Sequence, residues 1–95
     1  MYTVKFTGQF KKDYKLCKKR GLNMCLIDET ITILATEGAL PEKYRPHKLS
    51  GNYEGYWECH IQPDWLLVWQ QFDNELILHL TNTGSHSDIF GKKKK

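Results

Sequence analysis

Four histidines, His47, His60, His79 and His86, fall from the middle of this 95-residue chain onward, with Asp64 among them. Imidazoles titrate near neutrality, so two of them can serve as general base and general acid without a cofactor. Strand periodicity separates the four. In "YWECHIQPDW", His60 shares a strand face with Tyr56 and Glu58, while Trp57, Cys59 and Ile61 point the other way. Pro63 breaks the ladder just beyond and can turn the Asp64 carboxylate back toward the His60 imidazole. A carboxylate there would fix the tautomer and favour the charged ring. In "ELILHLTN", Leu76, Leu78 and Leu80 read as one face and Ile77, His79 and Thr81 as the other. A lone strand histidine is most often a packing residue, which makes His79 the least catalytic of the four.

Other chemistries are poorly served. Cys59 and His60 should point to opposite faces, and no HxxxH or CxxC spacing occurs, so no metal is expected. Cys17, Cys25 and Cys59 read as reduced thiols, with Cys59 facing the core and inert. "GNYEG" is a turn rather than a phosphate loop, because it lacks the strand and helix context. The remaining inventory of imidazoles, a carboxylate, Phe90 as a candidate base-stacking ring and a lysine-rich first helix suits metal-independent RNA cleavage. The same aromatics and lysines would also suit RNA binding without proton transfer.

The elements that must position these residues can be read from spacing. "YTVKF" alternates and reads as a strand. Phe6, Phe10, Tyr14 and Cys17 then recur at helical spacing over residues 8 to 20, with Lys11, Lys15 and Lys18 on a separate stripe. Gly21 fits a helix stop. Asn23 fits the N-cap of a second helix carrying Met24, Ile27, Ile31 and Leu34 and ending near Gly38. After Pro41 and Pro46 come a short extended piece at His47 to Leu49, the run "YWECHIQ", the run "WLLVWQQF", a tight turn at "DN" and the run "ELILHLTN". The expectation is an α+β fold: an N-terminal strand and a two-helix hairpin packed on a mainly antiparallel sheet of four to five strands.

The formal charge is +3, but the four lysines at 92 to 95 supply more than all of it; ten basic and eleven acidic residues remain, a net −1. Residues 1–91 therefore read as one domain and 92–95 as a disordered basic tail. Lys5, Lys11, Lys12, Lys15, Lys18, Lys19 and Arg20 face Asp13 alone in the first twenty residues, a cluster suited to a polyanion or simply to solvent. No stretch is long and apolar enough to cross a bilayer, and no secretory leader is evident, so a cytoplasmic protein without membrane contact is expected.

The run "HKLSGNYEGYWECHIQPDWLLVWQQFDNELILHLTNTGSHSDIF" closely resembles the YafQ-type toxins of the RelE/ParE superfamily. The motifs are H-x-L-x-G, then G-x-x-x-x-H-I-x-P-D-W-L-L-V, then T-G-[ST]-H-x-x-[IL]-F, and "TGQFKKDYK" extends the resemblance toward the N-terminus. It implies a RelE-like fold and a bacterial type II toxin, an mRNA interferase that cuts messages in the ribosomal A site. The implied partners are ribosome, mRNA and a cognate antitoxin in a hetero-oligomeric complex, with no cofactor. It places the catalytic set at His86, His60, Asp64 and His47, with His86 as general acid. Phe90 would meet a base, and Lys11, Lys15, Lys18 and Lys19 would meet ribosomal RNA. Relatives often carry Arg before the T-G, where this chain has Asn82, which cannot supply a cation. Trp69 stands where Tyr is common, a core exchange. Two alternatives of the same fold stay open: a ParE-like gyrase-inhibiting toxin and a non-catalytic RNA-binding module.

Overall fold

The computed structural model describes residues 1–91; the tail expected at 92–95 lies outside the described residues. The elements are β1 (Thr3–Phe6), α1 (Gly8–Lys19), α2 (Met24–Glu37), β2 (His47–Lys48), β3 (Trp57–Gln62), β4 (Trp65–Phe72), β5 (Ile77–Gly84) and α3 (His86–Phe90). Single 3-10 turns occupy Glu42–Tyr44 and Gly51–Tyr53. The sheet has the order β1-β5-β4-β3-β2, antiparallel except for the parallel pair β1 and β5.

The helices begin and end where their caps allow. The Thr7 hydroxyl accepts the Phe10 N–H, Asn23 accepts the Cys25 N–H, and Gly38 closes α2 at φ 72°. A left-handed residue at that position favours glycine, and a Cβ there would also meet the Tyr2 ring at 2.7 Å. Phe10 and Cys17 from α1 join Ile27 and Leu34 from α2 in one cluster with Cys59, Leu67, Trp69, Leu78 and Leu80 from the sheet. The hairpin thus covers one sheet face, as the periodicity indicates. Phe6 departs from its expected core stripe: it ends β1, is 46% exposed and stacks on Phe10 at 5.5 Å.

Two irregularities rotate the strands. The turn before β5 runs from Asp73 to Leu76 rather than through two residues, and Leu76 sits in it at φ 53° and 46% exposed. Leu76 therefore does not extend the Leu78 and Leu80 face. Farther along, β4 and β5 slip register between Val68 and Trp69: Trp69 pairs with Leu80 while Val68 pairs with Asn82, leaving Thr81 as the extra residue. A bulge re-aims the side chains beyond it. Without it Asn82 would point with Leu80 into the helix-covered core. With it, Asn82 and Gly84 join the opposite face, and Thr83 turns inward to accept the Trp65 indole N–H at 3.0 Å.

Candidate active site

The face opposite the helices carries the histidines. Cross-strand pairing sets His47 of β2 beside Glu58 of β3, Glu58 beside Val68 of β4, and Val68 beside Asn82 of β5; the next row holds His60, Leu66 and Gly84. Directly paired residues share a face. The His47 and His60 rings lie 6.4 Å apart, centroid to centroid. A second register shift, between His60 and Gln62, bends β3 into the Pro63–Asp64 turn.

That turn holds two histidines by consecutive residues. The His60 Nδ1 lies 3.2 Å from the Pro63 carbonyl oxygen, and the Asp64 carboxylate accepts the His86 backbone N–H at 3.2 Å. The expectation that the Asp64 carboxylate reaches back to the His60 imidazole is therefore corrected. A backbone carbonyl takes that place and the carboxylate anchors the start of α3, because the bulge in β3 carries the chain past His60 before it turns. A carbonyl can only accept, so Nδ1 carries the hydrogen and the Nε2 of neutral His60 is left as a free acceptor. This is the tautomer a general base requires.

His47 is constrained at both nitrogens. Its Nδ1 meets the Arg45 carbonyl at 2.9 Å and its Nε2 meets the Glu58 carboxylate at 2.9 Å. Two acceptors flank one ring, so both contacts are hydrogen bonds only when a hydrogen stands between the His47 Nε2 and the Glu58 carboxylate. Glu58 is 4% exposed, and its Oε2 is buried with no hydrogen-bond partner among the described residues. Alternation puts Glu58 on the His60 face but does not single it out as a site residue. Its role depends on which β2 residue lies opposite, information that local periodicity does not carry.

His86 opens α3, exposed to solvent. Ser85 caps that helix and Asp88 returns the bond to the Ser85 N–H, a reciprocal capping box. Arg20, at the end of α1, grips Asp88 with two bonds of 2.7 and 3.3 Å. Gly84 completes the corner at φ 149°, where a Cβ would come within 2.9 Å of the Asp88 carboxylate. Phe90, half-buried, packs edge-on against Tyr53 at 5.0 Å and beside His86 at 5.5 Å. His79 stands in register with Lys5 and Gln70, away from this cluster's rows.

Asp88 is held at about 2, chiefly by the Arg20 hydrogen bonds and then by the Ser85 N–H, below the ordinary 3.8. A carboxyl lowered on folding stabilises the folded state above its ordinary value and loses that contribution as pH falls through its folded value. Arg20→Gln is therefore expected to cost about 1 kcal/mol or less at pH 7, the range for a partly exposed pair. The gap in Tm between variant and parent should stay constant down to about pH 4 and close toward pH 2. A gap unchanged at pH 2 would contradict this assignment.

Lys11, Lys15, Lys18 and Lys19 are all exposed on α1. Lys11 and Lys15 border a groove of about 530 Å³ between α1 and α2, while Lys18 and Lys19 lie in the last turn of α1. Cys59 is buried with its thiol pushed up to about 12 by desolvation, which disfavours the nucleophilic thiolate. Among the described residues no three His, Cys, Asp or Glu side chains are gathered so as to hold an ion.

The fold, an N-terminal strand and two helices on a five-stranded mixed sheet, is that of the YafQ/RelE-like toxins. Residues 2–91 match the family model described as the bacterial toxin of type II toxin-antitoxin system, YafQ. The chain belongs to this YafQ family. It is 35% identical over 89 residues to the mRNA interferase toxin YafQ of Escherichia coli strain K12, covering 93% of this chain and 95% of that one. Its fold superposes on the toxin in the crystal structure of the E. coli DinJ-YafQ complex with TM-score 0.87 at 34% identity, covering 96% of this chain and 100% of the other. A metal-bound toxin from Helicobacter pylori gives TM-score 0.86 at 40% identity, covering 95% and 100%.

Proposed function

We propose that this protein is an mRNA interferase that cuts message in the ribosomal A site by general acid-base catalysis. The observation that carries the reading is the Pro63–Asp64 turn, which holds the His60 ring by one residue and the start of α3 by the next. His60, with Nε2 free, takes the 2′-OH proton. The oxygen attacks the adjacent phosphorus, a proton held between His47 and Glu58 offsets charge on the phosphorane, and His86 protonates the departing 5′-oxygen. Asp64 acts through the His86 backbone as a positioning residue. Phe90 offers part of a ring to a base, and the α1 lysines meet RNA phosphates.

The relative seated in the DinJ-YafQ complex supports a cognate antitoxin as the protein partner, in a hetero-oligomer. Among the described residues no helix is long and apolar enough to cross a membrane, in keeping with action on cytoplasmic ribosomes. Induction of the gene without its antitoxin is expected to stop growth, with primer extension on a reporter message showing new breaks inside the reading frame. Normal growth would sink the toxin reading. Arrest with intact message and altered plasmid supercoiling would shift the activity to gyrase.

A further inference from the structure

Two cations outside this machinery converge on it from the helix side. The 3-10 turn Glu42–Tyr44 is anchored by the buried Tyr44 ring, and Lys43 and Arg45 flank that residue, both exposed. A cleft of about 320 Å³ is lined by Lys43, Arg45, His60, Ile61, Gln62 and Pro63. A smaller hollow of about 180 Å³ continues it past Lys43, His60 and Ile61 to Leu26, Tyr44 and Glu29. Glu29 is the one acid lining either. The ion pairs found among the described residues are Arg20 with Asp88 and His47 with Glu58, so neither Lys43 nor Arg45 is neutralised.

Arg45 is notable for its backbone. It sits at φ 52° and ψ 51°, a left-handed conformation in which Cβ crowds the backbone and which suits Gly or Asn. Its N–H reaches the Glu42 carbonyl at 2.9 Å, and its own carbonyl holds His47. The backbone geometry alone would be met more easily by Gly or Asn, and such strain concentrates at functional sites. Arg45 lines a cleft walled by His60, where a strand of RNA must pass if His60 is to reach a 2′-OH. Guanidinium and ammonium groups are the usual partners of phosphate.

From this geometry we propose that Lys43 and Arg45 hold the phosphodiester backbone of the message beside the scissile step, on the His60 side of the cleft. They are binding residues that align the strand while the imidazoles move protons. The inference rests on the nuclease reading above and adds the path of the substrate.

The test uses purified toxin and ribosomes programmed with a short message, with kcat and KM measured across a range of KCl. Arg45→Asn preserves the left-handed backbone and Lys43→Gln the length of the side chain. The double variant is expected to raise KM about tenfold with kcat within threefold. It should also flatten the salt dependence of kcat/KM by roughly 0.7 in log-log slope for each phosphate no longer held. Arg45→Lys should restore most of the slope. An unchanged KM and slope would overturn the proposal. So would a fall in kcat alone, which would mean that Arg45 acts only by orienting His47. Weaker sedimentation with ribosomes lacking message would overturn it too, by reassigning the pair to ribosomal RNA. Absence of cleavage by the unaltered protein would bring down the nuclease reading itself, a result distinct from these.

Discussion

Replacing His86 with alanine is expected to slow message cleavage by roughly 10²- to 10⁴-fold, the usual contribution of a positioned acid or base, while leaving the fold intact. The two halves of this expectation come from different atoms of one residue. Its backbone N–H is bonded to Asp64 and is kept by any replacement other than proline. The imidazole is exposed, and its nearest aromatic neighbour is Phe90 at 5.5 Å. Alanine at the first position of α3 keeps the Ser85 cap, so thermal unfolding should shift little. Single-turnover cleavage on programmed ribosomes gives the rate, and a thermal scan gives the control. A variant that cuts the same positions within threefold of the parent rate would remove His86 from the chemistry. Asp64→Ala should lose activity too, but by loosening α3, and so with a measurable drop in Tm.

The second large effect concerns stability. Trp69→Ala is expected to cost about 3–5 kcal/mol, the range for truncating a buried large aromatic. Domains of this size have only about 5–15 kcal/mol to lose. Trp69 is 1% exposed at the centre of β4, and its ring stacks on Trp57 at 6.0 Å with 11° between planes. Its indole N–H donates to Gln71, so alanine also leaves that acceptor without its donor. The urea midpoint should fall steeply with little change in the slope of the transition. A loss below about 1 kcal/mol would mean that the neighbouring side chains collapse into the space, and that the two-tryptophan stack is not what holds β3 to β4.

Local periodicity is enough to reveal α1, α2 and the three long strands, because an apolar stripe at helical or alternating spacing is set by neighbours in the chain. Asn23 and Gly38 are legible as caps for the same reason. Pairing across the sheet is not. That β1 lies parallel to β5 depends on residues more than seventy positions apart, and the Thr81 bulge breaks the alternation on which the face assignment of β5 relies. Leu76 reads as part of a strand it precedes, since "DN" announces a two-residue turn and nothing marks its extension through Glu75 and Leu76. At the site, His47, His60, Asp64 and His86 can all be named from sequence, largely through motif resemblance. Their mutual bonds are not legible there. The partner of Asp64 is a backbone amide, which has no sequence signature, and the contact between His47 and Glu58 depends on which strands are adjacent.

The parallel pairing of β1 with β5 also sets the order in which the molecule can be made. The first strand to leave the ribosome has no partner until Ile77 to Leu80 have been translated, and the corner bearing His86 comes later still. A chain cut short before that point has two helices over an incomplete sheet and lacks His86. If the toxin severs its own message upstream of those codons, every later copy ends as an inactive fragment. On that condition a broken message yields only chains without β5 and His86.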